Sequence, residues 1–162
     1  MILEQLSART RVFLLVNHRM GVFERVVKAP PHEEIEANVL RLARAAALLE
    51  IPVIFTTSEE GGENGELLPS LQQLLPDAYA DWVDRHGIID SLANPAVVDV
   101  LAATGRRQLI TAGIGTEVCE VAPHCTPTAT AAMSRLWPMH AARRPHSGTT
   151  SRCGGWPRLA SH

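Results

Sequence analysis

The stretch QLITAGIGTEVC, residues 108–119, contains the features that decide the fold class. Its first half, Gln108 to Gly113, is a short run of branched and apolar residues that is typical of a strand buried on both faces of a sheet. Its second half contains glycines that permit a tight turn after the strand, and it ends at Cys119. We therefore expect Cys119 to lie in the first turn of a helix that follows a buried strand.

Two similar apolar runs precede this stretch, and helical patterns separate them. Residues 11–16 (RVFLLV) and 52–57 (PVIFTT) are both short and rich in branched side chains, which predicts two more buried strands. Residues 33–49 carry apolar side chains at helical spacing, with Glu33 and Glu34 in the first turn. Residues 95–104 predict a second helix, which starts with a proline and ends before a glycine.

Weaker signals complete the alternation of strands and helices. Residues 67–75 predict a short helix that stops at Pro76, and Trp82-Val83 predicts a short strand before Arg85. Strands that alternate with helices favour an α/β fold of the Rossmann-like type, in which helices flank a parallel sheet in three layers.

The regular pattern ends near Ala122. Residues 123–162 contain five prolines, scattered His and Arg, and no sustained period of two or 3.6 residues. We therefore expect a folded core over residues 1–122 and an irregular, poorly structured tail over residues 123–162. On this interpretation the sheet lacks its last strands, and the strand at 108–113 has an uncovered edge.

Length and composition exclude several classes of protein. The chain has 162 residues, which fits one domain, and a formal net charge of −2, which disfavours binding to nucleic acid or to a membrane surface. The N-terminal residues lack the basic and apolar regions of a signal peptide. The three cysteines are an odd number without the spacing of a disulfide framework, so we expect reduced thiols and a cytoplasmic location.

Candidate site residues follow the predicted strands, because ligands in open α/β sheets bind beyond the carboxyl ends of the strands. The sharpest candidate is Cys119, since a helix N-terminus lowers the pKa of a thiol and its free N–H groups can form an oxyanion hole. The alternative is a small buried core cysteine without chemistry. For Arg85, which follows Trp82-Val83, the alternative is a surface arginine.

The stretch from Gly113 to Cys119 resembles the signature around the nucleophilic cysteine of the isochorismatase-like cysteine hydrolases. Residues 14–19 (LLVNHR) resemble the first strand of that family, which normally ends in Asp-His-Gln or Asp-x-Gln. Arg85 falls where the family has a basic residue. Three further motifs resemble the YcaC-like branch of the family: Thr56-Thr57-Ser58, Asn64-Gly65 and Leu68-Pro69.

The resemblance covers residues 11–122 and implies a catalytic triad of an Asp, a basic residue and a Cys. At the matching positions this chain has Asn17, Arg85 and Cys119. The resemblance also implies an oxyanion and substrate-binding loop at Gly115, Thr116 and Val118. It implies hydrolysis of a C–N or ester-type carbonyl of a small molecule by a protein that forms homo-oligomers. We expect no metal or other cofactor, because no His lies near residues 57–60 and the seven histidines lack the spacing of a zinc site.

Two residues depart from the family pattern. Asn17 stands where the family has Asp, and an amide cannot act as a general base at neutral pH. Arg19 stands where the family has Gln. His18 or Glu117 could replace the missing base, although His18 should point away from Asn17, since successive strand residues alternate in direction.

These departures leave three hypotheses. The first is an active hydrolase that uses Cys119, and the second is an inactive protein of the same fold that acts in binding or assembly. The third is a thiol redox protein that uses Cys119 and Cys125, but the two do not form a Cys-x-x-Cys motif.

The tail has two explanations. The codons for Trp137 to Ala142 can also be translated in a shifted frame, which begins at the third base of the Trp137 codon. In that frame they permit the sequence Ala-Asp-Ala-Cys-Gly, which resembles a family segment at nearly the same distance from the cysteine. A shifted reading frame that begins between Glu120 and Cys125 would therefore explain the change in composition. The alternative is a genuine divergent tail.

Overall fold

Short apolar runs form the centre of a five-stranded parallel sheet. The computed structural model describes residues 8–26, 31–58, 64–114 and 136–142. The strands are β1 (Arg11–Val16), β2 (Val53–Thr57), β3 (Val83–Asp84), β4 (Gln108–Ile114) and β5 (Leu136–Ala142). Their order across the sheet is β3-β2-β1-β4-β5, and every neighbouring pair is parallel. The predicted strands at 11–16, 52–57, 82–83 and 108–113 are therefore confirmed, with bounds shifted by one residue at most.

Among the described residues, five α-helices connect or flank these strands. They are α1 (Met20–Val26), α2 (His32–Leu48), α3 (Pro69–Leu74), α4 (Pro76–Ala80) and α5 (Pro95–Ala103). The predicted helices at 33–49, 67–75 and 95–104 match α2, α3 and α5. The short helices α1 and α4 were not predicted, because neither is long enough to show a helical period. None of the described helices combines the length and apolar character that a membrane span requires.

The two faces of the sheet bury different helices. Phe13 and Leu15 of β1 lie on the face that packs with α2, whereas Val12, Leu14 and Val16 lie on the face that packs with α5. This alternation follows from the period of two residues along a strand. Since both faces are covered, the strands contain few polar residues, and the predicted three-layer α/β architecture is confirmed.

Strand β5 lies inside the segment for which the sequence predicts irregular structure. It pairs with β4 from Leu109↔Leu136 to Ile114↔Ala142, with a register shift between Thr111 and Gly113. The prediction of an irregular tail and an uncovered β4 edge is therefore corrected for residues 136–142. The pairing is tertiary. Among the described strands β5 pairs with β4 alone, and an edge position of this kind tolerates Pro138, which lacks an N–H group. The rest of 123–162 lies outside the described residues.

Candidate active site

The strand order reverses between β1 and β4. The chain runs from β1 to β2 and β3 on one side, then returns to the other side of β1 as β4. Parallel sheets bind ligands where the order reverses in this way, because the loops after the two strands diverge. Asn17 directly follows β1 at this position, and Gly115 directly follows β4. Gly115, Thr116, Val118 and Cys119, and also Glu117 and Cys125, lie outside the described residues.

Asn17 leaves β1 in a left-handed backbone conformation. Its φ is 56°, a region that Asn enters more readily than most residues. Its backbone N–H donates to the carbonyl of Thr56 at 2.9 Å, and its own carbonyl accepts from the N–H of Arg19 at 2.8 Å. The residue is 6% exposed. These bonds hold the Asn17 side chain at the edge of the sheet, between the ends of β1 and β2.

The short strand β3 holds Arg85 at the same end of the sheet, where the parallel strands have their carboxyl ends. Its backbone N–H donates to the carbonyl of Thr57 at 2.8 Å, which extends the pairing of β3 with β2. Its side chain has no exposed surface. Nη2 donates to Oδ1 of Asn17 at 2.9 Å, and Nη1 donates to the carbonyls of Ile88, at 3.1 Å, and Ile89. The alternative of a surface arginine is therefore wrong, because the turn at 88–89 and the Asn17 amide replace water around the guanidinium.

Asn94 forms a hydrogen bond to the backbone of Arg85, a role that was not predicted from the sequence. Its Nδ2 donates to the Arg85 carbonyl at 3.3 Å, and its Oδ1 accepts from the N–H groups of Ala96 and Val97 at the start of α5. The signal was present in the sequence, because Asn followed by Pro95 is typical of a helix N-cap and first helical residue. What the sequence did not reveal is that the same side chain reaches Arg85.

The Asn17–Arg85 pair carries a permanent positive charge and a neutral partner. The guanidinium remains protonated at all physiological pH values, and the amide of Asn17 has no basic lone pair. The pair can therefore stabilise a nearby anion, such as a thiolate or an oxyanion, but cannot accept a proton.

The environment of His18 makes it a poor replacement for a missing base. Its side chain is buried, and desolvation lowers the pKa of the imidazole from 6.5 to about 3. Its Nδ1 has no hydrogen-bond partner among the described residues. A base whose conjugate acid has so low a pKa takes up protons weakly near neutral pH. His86, by contrast, is 81% exposed and bonds to Asp84, so it lies in solvent.

Arg19 is buried beside this site, in the loop between β1 and α1. Its Nε donates to the carbonyl of Gly65, in the loop after β2. Within the described part of the chain, no group of three or more His, Cys, Asp or Glu side chains is arranged to hold a metal ion.

Comparisons with known proteins agree with this architecture. The family model of the isochorismatase domain matches residues 11–135. The probable hydrolase YcaC of Escherichia coli is 38% identical over 119 residues, which cover 74% of this chain and 56% of that protein. This chain thus spans little more than half the length of that relative.

Solved structures give the same result. The crystal structure of E. coli YcaC, an octameric hydrolase of unknown specificity, superposes with a TM-score of 0.75 at 34% identity, over 85% of this chain and 65% of that one. YcaC from Pseudomonas aeruginosa, with hexane-2,5-diol and covalent acrylamide, superposes with a TM-score of 0.74 at 32% identity, over 85% and 66% of the two chains. On the match of the family model to most of its length, this chain belongs to the isochorismatase family.

Proposed function

We propose that this chain is a cysteine hydrolase that acts on a C–N or ester-type carbonyl of a small molecule through Cys119. The observation that carries the proposal is the bond from the buried guanidinium of Arg85 to Asn17, which directly follows β1, the strand on whose two sides the chain continues as β2 and β4. Strand β4 pairs with β1 up to Val16↔Gly113 and ends at Ile114, so it ends next to Asn17, and Cys119 is five residues further along the chain. The relation to a probable hydrolase supports the same activity.

The proposed reaction has two steps. The Cys119 thiolate attacks the carbonyl carbon, an S–C bond forms, and the carbonyl π electrons move to the oxygen. Collapse of this oxyanion breaks the C–N or C–O bond, and the leaving group takes a proton from water. A second water then cleaves the thioester, which releases the carboxylic acid and restores the thiol. N–H groups at Gly115, Thr116 and Val118 are the proposed donors to the oxyanion.

The mechanism needs an acceptor for the proton of the Cys119 thiol, and the Asn17 amide cannot accept it. We propose that the thiolate instead forms before the substrate binds, by loss of the proton to water. A fixed positive charge lowers the pKa of a neighbouring thiol, and Arg85 supplies such a charge at this edge of the sheet.

Alkylation of the thiol tests this proposal directly. Acrylamide and iodoacetamide react with thiolates, and one relative of this chain carries covalent acrylamide. Mass spectrometry of peptides after timed labelling should show Cys119 modified faster than Cys125, and Arg85→Met should slow the labelling of Cys119 alone. Equal and slow labelling of the two cysteines would contradict the nucleophile assignment.

The second candidate is an inactive protein of the same fold that acts in binding or assembly, and the amide at position 17 favours it. Asn17→Asp restores a carboxylate next to Arg85, and Cys119→Ser serves as the matched inactive control. A gain of hydrolysis of p-nitrophenyl esters or of simple amides by Asn17→Asp, lost again in the double variant, supports the hydrolase. Failure of Asn17→Asp to gain any such activity would favour the binding or assembly protein.

Self-association is proposed on the relation to YcaC, whose E. coli form is an octamer. Light scattering coupled to size-exclusion chromatography measures the mass of the particle in solution. A multiple of the chain mass supports a homo-oligomer, and a mass of 17.6 kDa would oppose it.

A further inference from the structure

The turn after β3 exposes two adjacent large apolar side chains. Ile88 is 39% exposed and Ile89 is 53% exposed, whereas Ile51, Ile54 and Ile110 are buried in the core. Isoleucine is among the residues that are most often buried. Exposed apolar surface next to polar groups is typical of a site that binds a ligand. The two side chains contribute little to the core, so their surroundings indicate what they can bind.

The backbone of this turn is fixed by Arg85. His86 and Gly87 have φ values of 47° and 82°, and these two left-handed residues reverse the direction of the chain. The N–H of Ile88 then donates to the Arg85 carbonyl at 3.0 Å. Nη1 of Arg85 donates to the carbonyls of both Ile88 and Ile89. These bonds hold the turn in place through its backbone, without any contribution from the two apolar side chains.

The same guanidinium connects the turn to Asn17. Nη2 of Arg85 donates to Oδ1 of Asn17 at 2.9 Å, so the two terminal nitrogens of one side chain bind the end of β1 and the turn. Arg85 itself has no exposed surface. The surface beside this cation therefore includes the exposed side chains of Ile88 and Ile89, and a molecule that binds next to Asn17 lies within reach of them.

The chemistry of the turn indicates which group it can bind. Sites for small molecules combine a mainly apolar lining with a few polar groups that fix the orientation of the ligand. The Asn17–Arg85 pair supplies polar groups, and Ile88 and Ile89 supply apolar surface. An alkyl group that contacts this surface removes apolar area of both molecules from water, which is favourable. Because isoleucine is branched at Cβ and has few rotamers, it loses little side-chain entropy when a ligand binds.

We propose that Ile88 and Ile89 are specificity-determining residues that bind an uncharged alkyl group of the substrate beside the Asn17–Arg85 pair. The inference rests on the proposed function, because it names the class of substrate for that site. This class is amides or esters that carry an alkyl chain of several carbon atoms. Affinity increases with the length of the chain, since each additional methylene group that is buried contributes to binding.

A comparison of two neutral amides tests the assignment without any need for turnover. Hexanamide and acetamide have the same carboxamide group and differ only in the length of the alkyl chain. Their dissociation constants are measured by ligand-observed NMR titration of the Cys119→Ser protein, in which residue 119 cannot form a thioester. Hexanamide should bind at least about tenfold more tightly than acetamide, because its longer chain contacts Ile88 and Ile89.

Matched variants connect this preference to the turn. Ile88→Ser combined with Ile89→Ser removes the apolar surface but keeps the carbonyls that bind Arg85. It should abolish the preference for hexanamide and leave acetamide binding unchanged. Ile88→Val combined with Ile89→Val keeps an apolar surface and should retain most of the preference. Val98→Ser is the control, because Val98 on α5 is 38% exposed, and it should bind both amides as the parent protein does.

Several outcomes would overturn the proposal. They are equal binding of the two amides, no binding of hexanamide, and a preference that persists in the double Ser variant. The masses of the particles in solution are compared as well. A smaller particle for the double Ser variant, with unchanged hexanamide binding, would also overturn the proposal and assign Ile88 and Ile89 to a contact between copies of this chain.

The binding result is distinguishable from a failure of the proposed function. Slow alkylation of Cys119, with hexanamide binding that depends on Ile88 and Ile89, would reject the hydrolase and keep the alkyl-binding site. Fast alkylation of Cys119 without hexanamide binding would keep the nucleophile and reject the alkyl-binding site.

Discussion

Nη2 of Arg85 donates to Oδ1 of Asn17 at 2.9 Å, although 68 residues separate the two along the chain. The bond connects the end of β3 to the end of β1 across the end of β2. It also fixes the orientation of the Asn17 amide, since its oxygen faces the guanidinium and its nitrogen must face elsewhere. The bond between Asn17 and Arg85 therefore positions the candidate site and is itself buried within the fold.

Removal of the Arg85 side chain should destabilise the protein strongly. Arg85→Met leaves Oδ1 of Asn17 and two turn carbonyls without this donor, so we expect the free energy of unfolding to fall by on the order of 3 kcal/mol. Urea unfolding followed by circular dichroism measures the change. Arg44→Met, on the exposed face of α2, is the matched control and should change stability little. A similar small effect for both variants would show that the Arg85 bonds are not important for stability.

Asn94 should affect both the start of α5 and the support of Arg85. Asn94→Ala removes the cap on the N–H groups of Ala96 and Val97, together with the donor to the Arg85 carbonyl, and should cost about 1–2 kcal/mol. Asn94→Ser keeps a capping oxygen and should recover most of the loss. The same unfolding experiment checks both variants, and equal losses would show that capping is not the main contribution.

The buried His18 predicts a loss of stability in acid. Because burial lowers its pKa in the folded state to about 3, the unfolded chain binds one more proton than the folded chain between about pH 6.5 and pH 3. The free energy of unfolding should therefore decrease on acidification through this window, by up to about 1.4 kcal/mol per pH unit from this group. Its contribution is constant above pH 6.5.

Unfolding midpoints measured at a series of pH values check this prediction. His18→Gln should flatten the dependence between pH 6.5 and pH 3. An unchanged acid dependence in His18→Gln would assign the effect to other groups.

The composition of the tail predicts a result at the level of the gene. We expect sequencing of the coding DNA from Thr116 onwards to show a frame in which the codons for Trp137 to Ala142 specify Ala-Asp-Ala-Cys-Gly or a close variant. The intact mass of the purified protein is the independent control. If DNA and mass both agree with the sequence as given, the tail is genuine and the shifted frame is rejected.

Local patterns in the amino-acid sequence were sufficient to predict the class of fold and the end of the sheet at which the candidate site lies. The runs at 11–16, 52–57 and 108–113 are apolar on both faces, which is possible only for strands covered by helices on either side. Local patterns of this kind can be recognised without knowledge of the fold, because each depends on residues close together in the chain. The motif around Asn17, Arg85 and Cys119 then named the candidate residues, although Cys119 lies outside the part of the chain that the structure describes.

The surroundings of those residues depend on the folded chain. The burial of Arg85, the partner of its guanidinium and the support from Asn94 depend on groups that come together only when β3 pairs with β2. Strand β5 likewise has no local signal, since its backbone partners lie in β4. The pKa of His18 and the enclosure of Arg19 follow from desolvation, which depends on how many atoms from distant segments exclude water from a group. Sequence pattern does not contain that information, so charge and chemistry at this site required the folded chain.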